Sequence, residues 1–332
     1  MNVPIVDLAG TFSSDPRDRL AVAAAIREPS CELGMFYVKN HGVDPATIAD
    51  HAALARSFFG LELAEKRTID VARSDSFRGY VPFATQTIDA AAPGDLKEGF
   101  VMGPDFAPDH PHALARFPNT GTNQWPQRPP HFRERIHAYV AAMNDLGRRM
   151  ARVLALSLDL PEAYFAPALG DPLTYLQLLH YPSTPPDASL SRFGAGAHVD
   201  WGLLTLLLQD DVGGLQLRSD AGRWHDAAPE PGTFVIILGE MILRLTNGRY
   251  RSARHRVVQN ASGRGRYATA TFFDPPYDYR VACVPTCLPP HGEPQYPPRT
   301  VGEHMLEMAG ATLSGARPEK KSAPAGASNG PG

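Results

Sequence analysis

Three cysteines in 332 residues, Cys31, Cys283 and Cys287, are too few for a disulfide framework, and no two of them form a CxxC pair. Cys283 and Cys287 lie four apart, but no second Cys or His pair completes a zinc site with them, so they read as ordinary thiols. No stretch reaches the ~18 apolar residues of a membrane span. The opening Met-Asn-Val-Pro-Ile-Val-Asp-Leu lacks the basic start and long apolar run of a secretory signal. Charge of one sign is also in short supply: the formal net charge of −3 creates no global field for nucleic acid or anionic lipid. These absences predict a cytoplasmic chain that engages neither nucleic acid nor membrane, with a monomer as the default. GxSxG, a Walker loop, GxGxxG opening a helix and HExxH are missing too, which argues against several hydrolase and nucleotide-binding classes.

What is present suits a globular enzyme. Hydrophobic residues make up 43% and charged residues 20%, enough for a substantial core. The pattern predicts a strand over Val3–Leu8, a helix from Pro16 to about Glu28, a β-prone run over Gly34–Asn40 and a helix over Pro45–Phe59. Residues 70–130 are rich in Pro, Gly and Asp without sustained periodicity, and read as long irregular connections of the kind that cover active sites. After Pro129-Pro130 comes the clearest helix, in which Phe132, Ile136, Tyr139, Met143, Leu146 and Met150 recur along one face. From Thr174 the pattern turns to β. Strands are expected at Thr174–His180, His198–Gln209, Leu215–Arg218, Thr233–Leu238, Ser252–Gln259 and Tyr267–Phe273. The fold class is therefore mainly β with flanking helices, a sandwich or jelly roll.

The chemistry centres on His198-Val199-Asp200. On a strand, residues two apart share a face, so this imidazole and carboxylate can approach one ion. His255 lies 255 − 200 = 55 residues on, enough for intervening strands and a return to the same mouth. Two histidines and one carboxylate on one face leave half of an octahedral iron(II) open for cosubstrate and dioxygen. Taken singly, His-x-Asp is weak and a hydrogen-bonded surface pair is the better reading; the surroundings shift that balance. Arg266 follows His255 by 266 − 255 = 11 residues. A planar, permanently charged guanidinium there can grip the far end of a dicarboxylate.

Taken together, His198-Val-Asp-Trp-Gly-Leu-Leu-Thr, Gly213-Gly-Leu-Gln-Leu, Pro231-Gly-Thr-Phe-Val, His255-Arg-Val-Val and Arg266-Tyr resemble the isopenicillin N synthase-like branch of the iron(II)/2-oxoglutarate dioxygenases. Val3-Pro-Ile-Val-Asp-Leu and Gly34-Met-Phe-Tyr-Val-Lys-Asn-His-Gly resemble its amino-terminal part, so the similarity spans roughly residues 3–310. The resemblance implies a double-stranded β-helix holding iron(II), with 2-oxoglutarate and O2 as cosubstrates and a small molecule as substrate. It places the metal on His198, Asp200 and His255, the carboxylate clamp on Arg266 and a further cosubstrate hydrogen bond on Tyr181. It divides the chain into an amino-terminal α/β region (1–120), a scaffold helix (121–165), the β-helix core (166–280), a carboxy-terminal segment with a helix (281–314) and a disordered tail (315–332).

Three positions depart from the family pattern. Ala268 stands where the clamp usually has serine, Gln177 where relatives often have arginine, and Leu179 where many have asparagine. The missing serine removes a hydrogen bond of about 1–2 kcal/mol. Tyr181 or a water is its expected substitute, since Thr269 falls on the opposite strand face. Substrate contacts are expected from residues 76–106, from Tyr175, Gln177, Trp201 and Phe273, and from His304–Met308. Tyr175, Trp201 and Phe273 are equally readable as core. Arg78 and Lys97 are either solvated surface, the weightier reading, or contacts to an anionic group. Three further readings remain at this stage: a 2-oxoglutarate-independent iron oxidase of the same fold, an ethylene-forming variant, and a non-catalytic metal-binding β-roll.

Overall fold

The computed structural model describes residues 2–87, 94–185, 193–291 and 293–314. The tail from residue 315 and part of the 76–106 region lie outside these. The helices begin where side-chain chemistry dictates. Asp15 accepts a hydrogen bond from Arg17 N–H and Pro16 opens the helix Pro16–Glu32; Asp44 and Pro45 do the same for Pro45–Phe59. The long helix Phe132–Ser157 starts two residues after the Pro pair.

Twelve strands form two facing sheets. In chain order they are β1 (Ile5–Asp7), β2 (Met35–Lys39), β3 (Gly79–Val81), β4 (Glu98–Met102), β5 (Leu173–Tyr181), β6 (Phe193–His198), β7 (Leu204–Gln209), β8 (Leu215–Arg218), β9 (Trp224–Asp226), β10 (Phe234–Leu238), β11 (His255–Val258) and β12 (Arg266–Asp274). The major sheet runs β1-β2-β10-β7-β12-β5-β4-β3 and the minor sheet β6-β11-β8-β9. The major sheet therefore joins strands from the amino-terminal region to those of the expected core.

Strand alternation divides the major sheet into two faces. Leu176, Leu178, Leu204, Leu206 and Phe273 face the helices and form the main core with Ile136, Tyr139, Met143 and Met150. Leu207, Val235, Ile237, Ala268 and Ala270 face the minor sheet and pack with Leu215, Leu217 and Val257. The long helix closes on the sheet through Gly147, where an added Cβ would lie 2.6 Å from the Phe273 ring.

Two expectations about elements need correction. The 70–130 stretch contains β3 and β4, paired to each other and, through β4, to β5. These short strands hold glycine and buried charge in place of an apolar alternation, so periodicity does not reveal them. The expected single strand His198–Gln209 is two strands in different sheets, β6 and β7, with a turn between. That turn is pinned by three hydrogen bonds from two elements. Leu203 N–H donates to Asp274 Oδ1 (2.6 Å), Glu240 N–H to Asp200 O (2.9 Å) and Met241 N–H to Gly202 O (3.1 Å).

Candidate metal centre and cosubstrate pocket

His198 ends β6, His255 begins β11, and the two are directly paired across the minor sheet. Asp200 enters from the turn, so it meets His198 by a change of chain direction and not by strand alternation. His198 Nε2 lies 3.7 Å and His255 Nε2 3.8 Å from Asp200 Oδ1. The three ligating atoms fall within 4.8 Å of one another, close enough to share one ion at metal–ligand distances of about 2.0–2.2 Å.

Their second atoms are already occupied. His198 Nδ1–H donates to Gly196 O (2.8 Å) and His255 Nδ1–H to Ala253 O (2.9 Å), which leaves an Nε2 lone pair free on each ring. Thr205 Oγ1 donates to Asp200 Oδ2, leaving Oδ1 for the metal. Burial, followed by the neighbouring His255, holds His198 well below the ordinary imidazole range and so keeps it neutral. A neutral-imidazole and carboxylate donor set with open positions fits iron(II).

A cavity connects this centre to Arg266. Gln177, Leu179, Tyr181, Ala268, Ala270 and Phe272 line the major-sheet side; Ala195, Leu215 and Val257 line the other. Arg266 is 1% exposed. Its Nη2 reaches Gln209 Oε1 at 3.4 Å, and its Nε and Nη1 have no hydrogen-bond partner among the described residues. A buried guanidinium with unmet donors fits a carboxylate that arrives with the cosubstrate. The Tyr181 ring lies under that guanidinium at 4.7 Å.

The expected substrate residues separate. Gln177 lines the cavity, but Phe273 does not: it is one residue out of phase, faces the long helix, and is replaced at the wall by Phe272. Tyr175 is 7% exposed, carries the Arg78 guanidinium over its ring at 4.9 Å and bonds the Tyr277 hydroxyl, away from the cavity lining. Trp201 packs against the main core, and His304 Nε2 is bonded to its carbonyl at 2.7 Å, so the last helix braces the ligand turn. Arg78 and Lys97 are not solvated, being 0% and 4% exposed. Thr205, Phe272 and Asp95 went unmarked in the sequence. Parity along β7 and β12 is the signal that finds the first two, since each shares a face with residues whose orientation is known.

The comparisons agree with this geometry. Residues 3–128 match the model described as non-haem dioxygenase in morphine synthesis N-terminal, and residues 173–275 match that of the 2OG-Fe(II) oxygenase superfamily. The 2-oxoglutarate-Fe(II) type oxidoreductase hxnY of Emericella nidulans is 38% identical over 92% of this chain and 88% of its own length. A homoarginine-6-hydroxylase of Oryza sativa is 32% identical over 92% and 95%. Among solved structures, a full-length Neurospora crassa protein in complex with alpha-KG and thymine superposes with TM-score 0.81 at 26% identity, over 93% of this chain and 97% of that one. A Caulobacter crescentus 2OG-Fe(II) oxygenase family protein gives 0.79 at 30%, over 92% and 98%. These relatives favour cosubstrate-dependent oxidation of small molecules over the cosubstrate-free, ethylene-forming and non-catalytic readings. The chain belongs to the 2OG-Fe(II) oxygenase superfamily and is a non-haem iron, 2-oxoglutarate-dependent oxidoreductase.

Proposed function

We propose that His198, Asp200 and His255 are the iron ligands, that Arg266 grips the distal carboxylate of 2-oxoglutarate beside Tyr181, and that the reaction oxidises a small-molecule substrate by hydroxylation, desaturation or ring formation. One observation carries the reading: three convergent ligating atoms and a buried arginine with unmet donors share one cavity. Iron(II) held there supplies dioxygen activation coupled to oxidative decarboxylation of 2-oxoglutarate to succinate and CO2. The protein's part is orientation and exclusion. The two Nδ1–H donors fix the imidazole planes, Thr205 turns Asp200, and Leu179, Ala270, Leu207 and Phe272 keep water from the far wall. Gln177, the polar group on that wall, is the proposed substrate contact at this end; Tyr175, Trp201 and His304 support the site from behind.

The same proposal takes the chain as a cytoplasmic monomer, in keeping with its three free thiols. The four chain segments outlined from the sequence within residues 1–314 then serve as parts of one catalytic body. The test is succinate formation from 2-oxoglutarate with iron(II) and oxygen. His198→Ala and Asp200→Ala are expected to abolish it. Arg266→Leu is expected to raise the Kd for 2-oxoglutarate at least tenfold while metal binding survives. Wild-type cosubstrate affinity in Arg266→Leu would remove the clamp from the scheme.

A further inference from the structure

The metal and Arg266 account for both ends of 2-oxoglutarate, yet a second cation lines the same cavity. Lys97 precedes β4 by one residue, and the β4–β5 register places it opposite Tyr181, on the cavity side of the sheet. It is 4% exposed, and its ion-pair partner among the described residues is Asp95 Oδ2 at 3.1 Å. An ammonium carries three N–H donors, so this pairing leaves donors to spare. Asp95 is itself fixed: its Oδ1 accepts from Gly196 N–H at 2.9 Å, and Gly196 O holds His198 Nδ1–H. Lys97 is thereby tied, through Asp95 and one backbone unit, to the strand that presents the first metal ligand.

A buried ion pair contributes little to stability compared with apolar side chains of similar volume. The wall around Lys97 is otherwise largely apolar, including Leu179, Ala195 and Val257. A lysine held there beside the metal ligands, with one anionic partner among the described residues for three donors, has the form of a recognition element for an anion.

We propose that Lys97 is a specificity-determining residue that receives an organic carboxylate bound beside the metal, the substrate's own acid group. The proposal rests on the iron/2-oxoglutarate reading of the cavity. The same chemistry could come from the metal-chelating carboxylate of 2-oxoglutarate, and the experiment separates the two sources.

Lys97→Met, the charge-keeping Lys97→Arg and the neutral double variant Asp95→Asn/Lys97→Met are compared with wild type. The double variant covers the case in which a lone buried Asp95 prevents folding. First, the Kd for 2-oxoglutarate is measured anaerobically with iron(II) from the visible charge-transfer band. Second, benzoate, cyclohexanecarboxylate and N-acetylglycine, each against its primary amide, are titrated into the manganese(II)–2-oxoglutarate form and followed by thermal shift.

The expected result is a 2-oxoglutarate Kd within twofold of wild type in every variant. Wild type should bind at least one acid tenfold better than its amide, Lys97→Arg should keep part of that preference, and both neutral variants should lose it. A tenfold weaker 2-oxoglutarate Kd in the neutral variants would overturn the substrate's acid as the partner and give Lys97 to the cosubstrate. No acid-over-amide preference in wild type, or one that survives in the neutral variants, with cosubstrate affinity unchanged, would overturn the proposal. Failure of wild type to bind 2-oxoglutarate at all would overturn the underlying site reading, and this inference with it.

Discussion

Adjacent residues on β12 show how closely function depends on a single position. Ala268 faces the cavity, while Thr269 turns to the helices and bonds His51 at 2.9 Å. His51 is 1% exposed and stacks on the Tyr139 ring at 3.5 Å. Burial lowers its pKa to about 3. The sign follows from this: an unfolded chain takes up a proton at His51 as pH falls through 6.5, and the folded chain does not until about pH 3. The group's contribution is therefore intact above 6.5 and is lost as pH falls through that window, at about 1.4 kcal/mol per pH unit. His51→Gln, which can keep the bond to Thr269, is expected to show a flatter fall in unfolding free energy between pH 6.5 and 4. An unchanged slope would show that His51 does not titrate this way. At this scale residue chemistry was enough to single out His198, Asp200, His255 and Arg266, which share one cavity, although the strand spacing expected for Asp200 is not what brings it there. Parity puts Thr205 on the cavity face, but a threonine in a run of leucines carries no sign of the carboxylate it meets.

Elements were legible where their periodicity is strong and obscure where function interrupts it. The helix Pro45–Phe59 follows its apolar spacing from end to end. The strand pattern across residues 198–209 concealed a change of sheet, because leucines on both sides of the turn look alike in sequence. The aromatic pair Phe272-Phe273 shows the cost of a one-residue error in phase: one ring lines the cavity and the other packs on the scaffold helix. That second contact makes a prediction. Alanine normally improves a helix interior over glycine by ~1 kcal/mol. In Gly147→Ala the new methyl meets the Phe273 ring, and overpacking of about 1–3 kcal/mol should outweigh the gain. A lower urea midpoint is expected; an unchanged or higher one would mean the ring yields freely.

For the whole molecule, ligand and fold are coupled. The metal ligands come from the minor sheet and the turn after β6, and Arg266 from the major sheet, so binding of metal and cosubstrate together should stabilise the entire body and not one loop. Manganese(II) with 2-oxoglutarate at 100 times Kd should add about 2.7 kcal/mol. That corresponds to a rise in Tm on the order of 5 °C over the EDTA-treated chain. No shift on adding 2-oxoglutarate to the metal-loaded protein would contradict a shared cavity.

The strand order also constrains how the molecule is made. β2 lies between β1 and β10, with Val38 beside Phe234, 234 − 38 = 196 residues later in the chain. During synthesis the buried run Met35–Val38 therefore waits, with one edge open, until most of the polypeptide has left the ribosome. Folding of the sheet is completed late, and an interrupted translation product would present that sticky ribbon to its neighbours.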